Sequence, residues 1–170
     1  MKRLTTAAGL LAACALALAG AGSAAGPALD EFPVSFTLTS ATCPLLPSGT
    51  TIEGSGTEKS ITNVRTDRNG RTTIMNTTHA FGTATDQAAN SYVFNYSNSF
   101  SVSNTGPTDP VFSGQMVDSF SLAGRGPATL HNGFVAGFTT DFETFSSFEE
   151  QSSRGDPIDF ATGESHCDPL

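Results

Sequence analysis

Apolar residues in this chain recur at every second position, and past the first 25 residues no long segment holds the 3.6-residue period of a helix. Phe32, Val34, Phe36 and Leu38 alternate with Pro33, Ser35 and Thr37. Tyr92, Phe94, Tyr96, Asn98, Phe100 and Val102 share one face of a second run, with Ser and Asn on the other. Alternation puts successive side chains on opposite sides of an extended strand, so each run reads as a strand with one side buried. Thr, Ser, Gly, Asn and Phe dominate, while the strong helix formers are scarce. The expected class is all-β.

Turn residues divide the runs. Asp67-Arg68-Asn69-Gly70 reads as a tight hairpin, because Asn-Gly accepts positive φ. Asp86-Gln87-Ala88-Ala89-Asn90 reads as a second turn, and Asn104 to Pro110 as a loop. Gly124-Arg125-Gly126-Pro127 marks a bend, and Asn132-Gly133 reads as another hairpin. Gly54 and Gly56 mark a bend or bulge in a polar run over residues 50–65. Met116, Asp118, Phe120 and Leu122 share a face, as do Phe134, Ala136, Phe138, Thr140 and Phe142. Phe142, Phe145 and Phe148 also fit a short helical turn. The residues from Ser152 onward read as a surface tail with a short strand around Ile158, Asp159 and Phe160. Sequential hairpins imply an antiparallel meander of about eight strands closing into a barrel, with a two-sheet β-sandwich as the alternative.

Residues 1–25 carry a different pattern: basic Lys2 and Arg3, an apolar run over 4–20, then small residues. That order is expected of a secretory signal peptide, leaving residues 26–170 as a single secreted β domain. Leu11-Ala12-Ala13-Cys14 also fits a lipoprotein cleavage pattern, although the apolar run continues past Cys14. Removing the signal leaves six basic residues against 16 acidic ones, a net charge of −10. Nucleic acid is a poor partner for such a surface, because binding it requires clustered Lys and Arg. No later apolar run approaches the ~20 residues of a membrane-spanning helix. Two cysteines remain, Cys43 and Cys167, and in an oxidising compartment a disulfide between them is expected.

Three stretches carry a resemblance: Cys43-Pro44 with Leu46-Pro47-Ser48-Gly49-Thr50; Gly82-Thr83-Ala84-Thr85-Asp86 with Asn90, Tyr92 and Phe94; and Asp118-Ser119-Phe120-Ser121-Leu122 with Gly124, Gly126-Pro127 and Gly133-Phe134. Together they resemble small secreted β-rich proteins of high-GC Gram-positive (actinobacterial) bacteria. That resemblance implies no function. By architecture alone, the expected barrel is similar to calycin and allene-oxide-cyclase-type barrels, and architecture does not carry function.

Candidate chemistry is sparse. No G-x-S-x-G nucleophile elbow and no H-E-x-x-H or C-x-x-C metal motif occurs, so no metal or cofactor is expected. Asp67-Arg68-Asn69-Gly70 lacks the later acidic ligands of a calcium loop. Glu149-Glu150, and Asp141 with Glu143, read as acidic surface. Arg154-Gly155-Asp156 matches an adhesion tripeptide, and Asn76 and Asn95 head glycosylation sequons. On the run after Gly70, Thr73, Met75, Thr77, His79 and Phe81 share one face, and Ile74, Asn76, Thr78 and Ala80 the other. If the first face points inward, His79 lies in the interior. The expected ligand-lining set is then His79, Tyr92, Phe94, Tyr96, Phe120 and Phe138, around a small apolar ligand. Thirteen Phe, two Tyr and no Trp fit a core better than a carbohydrate platform. The leading expectation is a secreted non-catalytic binding barrel. The alternatives are a structural or protein-interaction module of the cell surface and a cyclase- or isomerase-type enzyme using His79 and Tyr92.

Overall fold

The computed structural model describes residues 27–157 and 167–170. The expected signal segment, Cys14, the strand around Ile158 and Phe160, and His166 lie outside them. Seven antiparallel strands follow one another in sheet order as in sequence: β1 (Ala28–Thr39), β2 (Thr51–Thr66), β3 (Thr72–Asp86), β4 (Ser91–Ser103), β5 (Phe112–Gly124), β6 (Leu130–Thr140) and β7 (Phe145–Arg154). The all-β meander is as the alternation implies. Among the described residues it is one sheet of seven strands rather than two sheets, and no ladder joins β1 to β7.

The open sheet is strongly curled. The Phe36 ring on β1 lies 5.8 Å from the Phe120 ring on β5. Four strand spacings in a flat sheet would separate them by about 19 Å. Among the described residues the result is a trough, open between β1 and β7. Both edges carry features that oppose further pairing. Pro33 removes an N–H from β1, and β7 bulges twice against β6, at Val135/Ala136 and at Thr139/Thr140.

The trough is lined by every second residue of each strand. Ile74, Asn76, Thr78 and Ala80 face inward on β3, so His79 and Phe81 face solvent. Two apolar clusters fill it. One holds Phe36, Leu38, Cys43, Leu46, Ile52, Tyr92, Phe94, Phe120, Leu122 and Leu130. The other, toward the opposite end, holds Ile74, Val102, Phe112, Met116, Phe134, Ala136 and Phe138. Gly54 and Gly56 mark no bulge; the β1–β2 and β2–β3 ladders run through them without a shift. They are places where a side chain cannot fit: a Cβ on Gly54 would enter the Phe36 ring, and one on Gly56 would come within 2.8 Å of Phe94 Cζ.

Local turn chemistry departs from expectation twice. At Asp67–Gly70 only Gly70 is left-handed, at φ 78°. The loop is wider than a two-residue turn because Asp67 Oδ1 accepts the N–H groups of Asn69 (2.8 Å) and Arg71 (3.0 Å). Asn132-Gly133 is no turn; it lies inside β6, with the Asn132 side chain fully buried. Phe142 does sit in a turn, with φ 67°, but Phe145 and Phe148 belong to β7 rather than to a helical turn. Among the described residues no helix is long and apolar enough to cross a membrane.

Candidate functional site

Between the two apolar clusters the trough carries a belt of polar side chains. Strand register builds it. Tyr96 on β4 stands opposite Phe120, and Asn98 stands opposite Asp118 on β5. The Tyr96 hydroxyl and the Asn98 amide therefore reach the same oxygen, Asp118 Oδ2, at 2.9 and 2.7 Å. Glu58 on β2 and Asn132 on β6 lie in the row of Tyr96 and Phe120. Asp118 is 3% exposed.

Residues 167–170 enter this belt from outside the sheet. Cys43, after β1, and Cys167 form the expected disulfide, with Cα atoms 4.6 Å apart. Asn132 Nδ2 donates to the Cys167 carbonyl (2.6 Å), and Asn132 Oδ1 accepts from the Asp156 N–H (3.1 Å). The Cys167 N–H returns a bond to the Asp156 carbonyl at 3.0 Å. Asp168 is thereby placed inside the trough, 1% exposed, and Leu170 packs on the first apolar cluster. This end of the tail, residues 167–170, thus does not lie on the surface as the sequence led us to expect. A covalent link and a buried amide draw it inward.

The Asp168 and Asp118 carboxyl groups act on each other in this belt, and two carboxyls can hydrogen-bond only when one of them carries a proton. Burial raises Asp118 above the ordinary carboxylate range, against the lowering effect of its Asn98, Asp168 and Tyr96 contacts. Burial, then the Asp118 charge, raises Asp168 well above it. The donors favour charge on Asp118 and the proton on Asp168. Tyr96 is held well above its usual value by burial and then by the Asp118 and Asp168 charges. Glu58 is raised by burial. Chemically, such a pair can hold one proton and one charge, and it sets residues 167–170 against β4 and β5.

The expected ligand-lining residues fall into three places. Tyr92, Phe94, Tyr96 and Phe120 come together on the inner face, with Phe94 and Phe120 rings stacked at 6.4 Å. Phe36, not among the expected set, completes this group edge-on, 5.0 Å from Phe94. Phe138 is also buried, but in the other cluster, 6.3 Å from Phe100. His79 is apart from all of them, exposed on the outer face. It lines an open depression of about 310 Å³ with Phe81, Asn95, Ser97, Ser119 and Ser121. A second open depression, about 540 Å³, lies over Ser35, Thr37, Glu53, Ser55 and Thr85.

Other sequence features resolve into local structure. Tyr92 donates to Asp86 Oδ2 at 3.0 Å, and Asp86 also caps the turn through Ala88 and Asn90. Asp141 Oδ1 takes the N–H groups of Glu143 and Thr144 in the β6–β7 turn. Asn76 is buried and donates to Ser60 and Thr62, both at 2.9 Å. Asp156 of the Arg-Gly-Asp sequence is part of the clamp on Cys167. No group of three or more His, Cys, Asp or Glu among the described residues is arranged to hold a metal ion.

Sequence reasoning missed Asp118, Asp168, Asn98, Asn132 and Glu58 as a group. Asp118 and Asn98 did carry a signal, being polar residues in register with buried aromatic ones. Asp168 carried none beyond its place next to Cys167. Comparison with protein-family models, with curated proteins and with solved structures finds no match to this chain.

Proposed function

We propose that this chain is an exported, non-catalytic β domain that acts through its surface, as a structural or interaction module. One observation carries the reading: the trough is filled by the protein itself. Phe36, Phe94 and Phe120 occupy its center, and residues 167–170 cover the polar belt. A small apolar ligand between the aromatic strands would have to displace rings already packed on one another. A cyclase- or isomerase-type reaction would need substrate at Tyr96 and Asp118, where Asp168 sits. His79, the acid–base residue considered for such chemistry, faces solvent on the other side of the sheet. Export is supported by the signal-like residues 1–25 and by the disulfide, which persists in oxidising compartments.

Native mass spectrometry of the protein recovered from culture medium tests this. The expected spectrum is a chain shortened by about 25 residues, two hydrogens lighter than its reduced form, with no added small molecule. A non-protein mass released on activation would overturn the filled-interior reading in favor of a carrier.

A further inference from the structure

The side of the sheet facing away from the core has an unusual chemistry. Read through the ladder registers, every outward position of β3, β4, β5 and β6 is free of Asp, Glu, Lys and Arg. The chain has 8 basic and 16 acidic residues, so this face is uncharged within a strongly charged molecule. The charges of the sheet's outer side stand on the flanking strands, as Glu31, Glu53, Lys59 and Glu149. Between them the surface is mostly Ser and Thr; on β4 alone Ser91, Ser97, Ser99, Ser101 and Ser103 point outward. Across β3–β5 this face dips into the open depression of about 310 Å³ that contains His79 and Phe81. The Phe81 ring stands 51% exposed there, beside Asn95, to which it is paired across the strands.

We infer that this face binds an uncharged polysaccharide, with the depression over Phe81 as the seat of one sugar ring. The inference rests on the surface-acting reading above and names its partner class. A pyranose offers an apolar C–H face and a rim of hydroxyls. Although the composition as a whole suits a core, Phe81 is an exposed aromatic ring and supplies a flat apolar partner for the first. Asn95, His79 and the Ser97, Ser119 and Ser121 hydroxyls supply groups that both donate and accept for the second. The absence of charge matches a neutral ligand, since no ion has to be stripped of water on contact. The same chemistry disfavors other partners. Nucleic acid and anionic membrane surfaces require Lys and Arg. Protein interfaces are depleted in Ser, which dominates here.

The test is retention of the disulfide-intact protein on insoluble cellulose, chitin and starch, with alginate gel as the anionic control. Expected is saturable retention on at least one neutral polymer, none on alginate, and little change between low and high salt. Phe81→Ala should weaken retention at least tenfold, and Ser119→Asp, which puts a charge in the depression, should do the same. Both positions are on the outer face, and unchanged thermal melting will verify that the fold is kept. No retention on any neutral polymer, or retention that both variants leave intact, overturns the inference. That failure is distinct from failure of the surface-acting reading, which is judged by the mass spectrum and not by glycan retention.

Discussion

The two ends of the trough are held together in different ways. At the end near Cys43, contacts cross from one side to the other: Phe36 on β1 meets Phe120 on β5, and the disulfide joins the segments that follow β1 and β7. At the opposite end the ring contacts among the described residues reach two strands at most. Phe100 meets Phe138, Phe134 meets Phe148, Phe138 meets Phe145, and Phe112 meets Phe142 of the β6–β7 turn. There β7 is exposed along nearly its whole length. The ladders from β1 through β6 run through both ends without a register shift, so they do not decide the curl. Contacts between strands that are not neighbors do.

Breaking the disulfide should have the largest effect. Replacing Cys43 and Cys167 together by Ser frees a loop of 124 residues and should cost about 4–5 kcal/mol in a urea titration. A loss below about 1 kcal/mol would mean that the two ends do not differ as argued. A pair of truncations sharpens the contrast. Phe94→Ala removes a ring from the cross-trough group and should cost about 3–5 kcal/mol, whereas Phe148→Ala, on the half-buried β7 ring, should cost about 1 kcal/mol. Equal losses would equate the two ends.

The carboxyl pair of the belt between the two ends predicts a pH effect. Asp118, Asp168 and Glu58 are raised in the folded protein. Their contribution is complete below the ordinary carboxylate range, about pH 4, and is lost as pH rises through the raised values. Asp86, Asp109 and Asp141 are lowered, chiefly by hydrogen bonds from Asn90, Thr105 and Thr144 in turn. Their contribution is present above the ordinary range and is lost as pH falls below it. Stability should therefore peak in mildly acid solution. Asp168→Asn should flatten the alkaline side and raise stability at pH 8 by about 1–2 kcal/mol, measured as urea midpoints at three pH values. An unchanged alkaline slope would show that the pair is not its source. The smallest effect is expected at the far end. Gly70→Ala forces a Cβ into a left-handed turn and against Pro107, at a cost of about 1 kcal/mol.

The alternation made most strands legible, and where both sides of a strand were mixed it did not. On β4 the aromatic side is unmistakable, and the structure buries it. On β3 one side offers Met75, His79 and Phe81, and the other Ile74 and Ala80. Burial is decided there by the Gly56 and Gly82 gaps that admit the Phe94 ring, which no local pattern encodes. Asn132-Gly133 misled for a related reason: a residue pair suited to a turn is used in mid-strand as a buried amide clamp. Asp168 was illegible because its surroundings come from β4 and β5, some 50–70 residues earlier in the chain. Of the site, the disulfide and the inward aromatics of β4 and β5 could be read. The carboxyl pair could not.

The distance along the chain between Cys43 and Cys167 also bears on how the fold is reached. Every ladder in the sheet joins strands adjacent in sequence, so hairpins can form and extend in any order with little loop entropy lost. What none of them specifies is how far the sheet rolls. That is settled by an encounter between segments 124 residues apart, the kind of event that makes β proteins slow. An oxidised chain begins refolding with that encounter already made, and a reduced one must find it last.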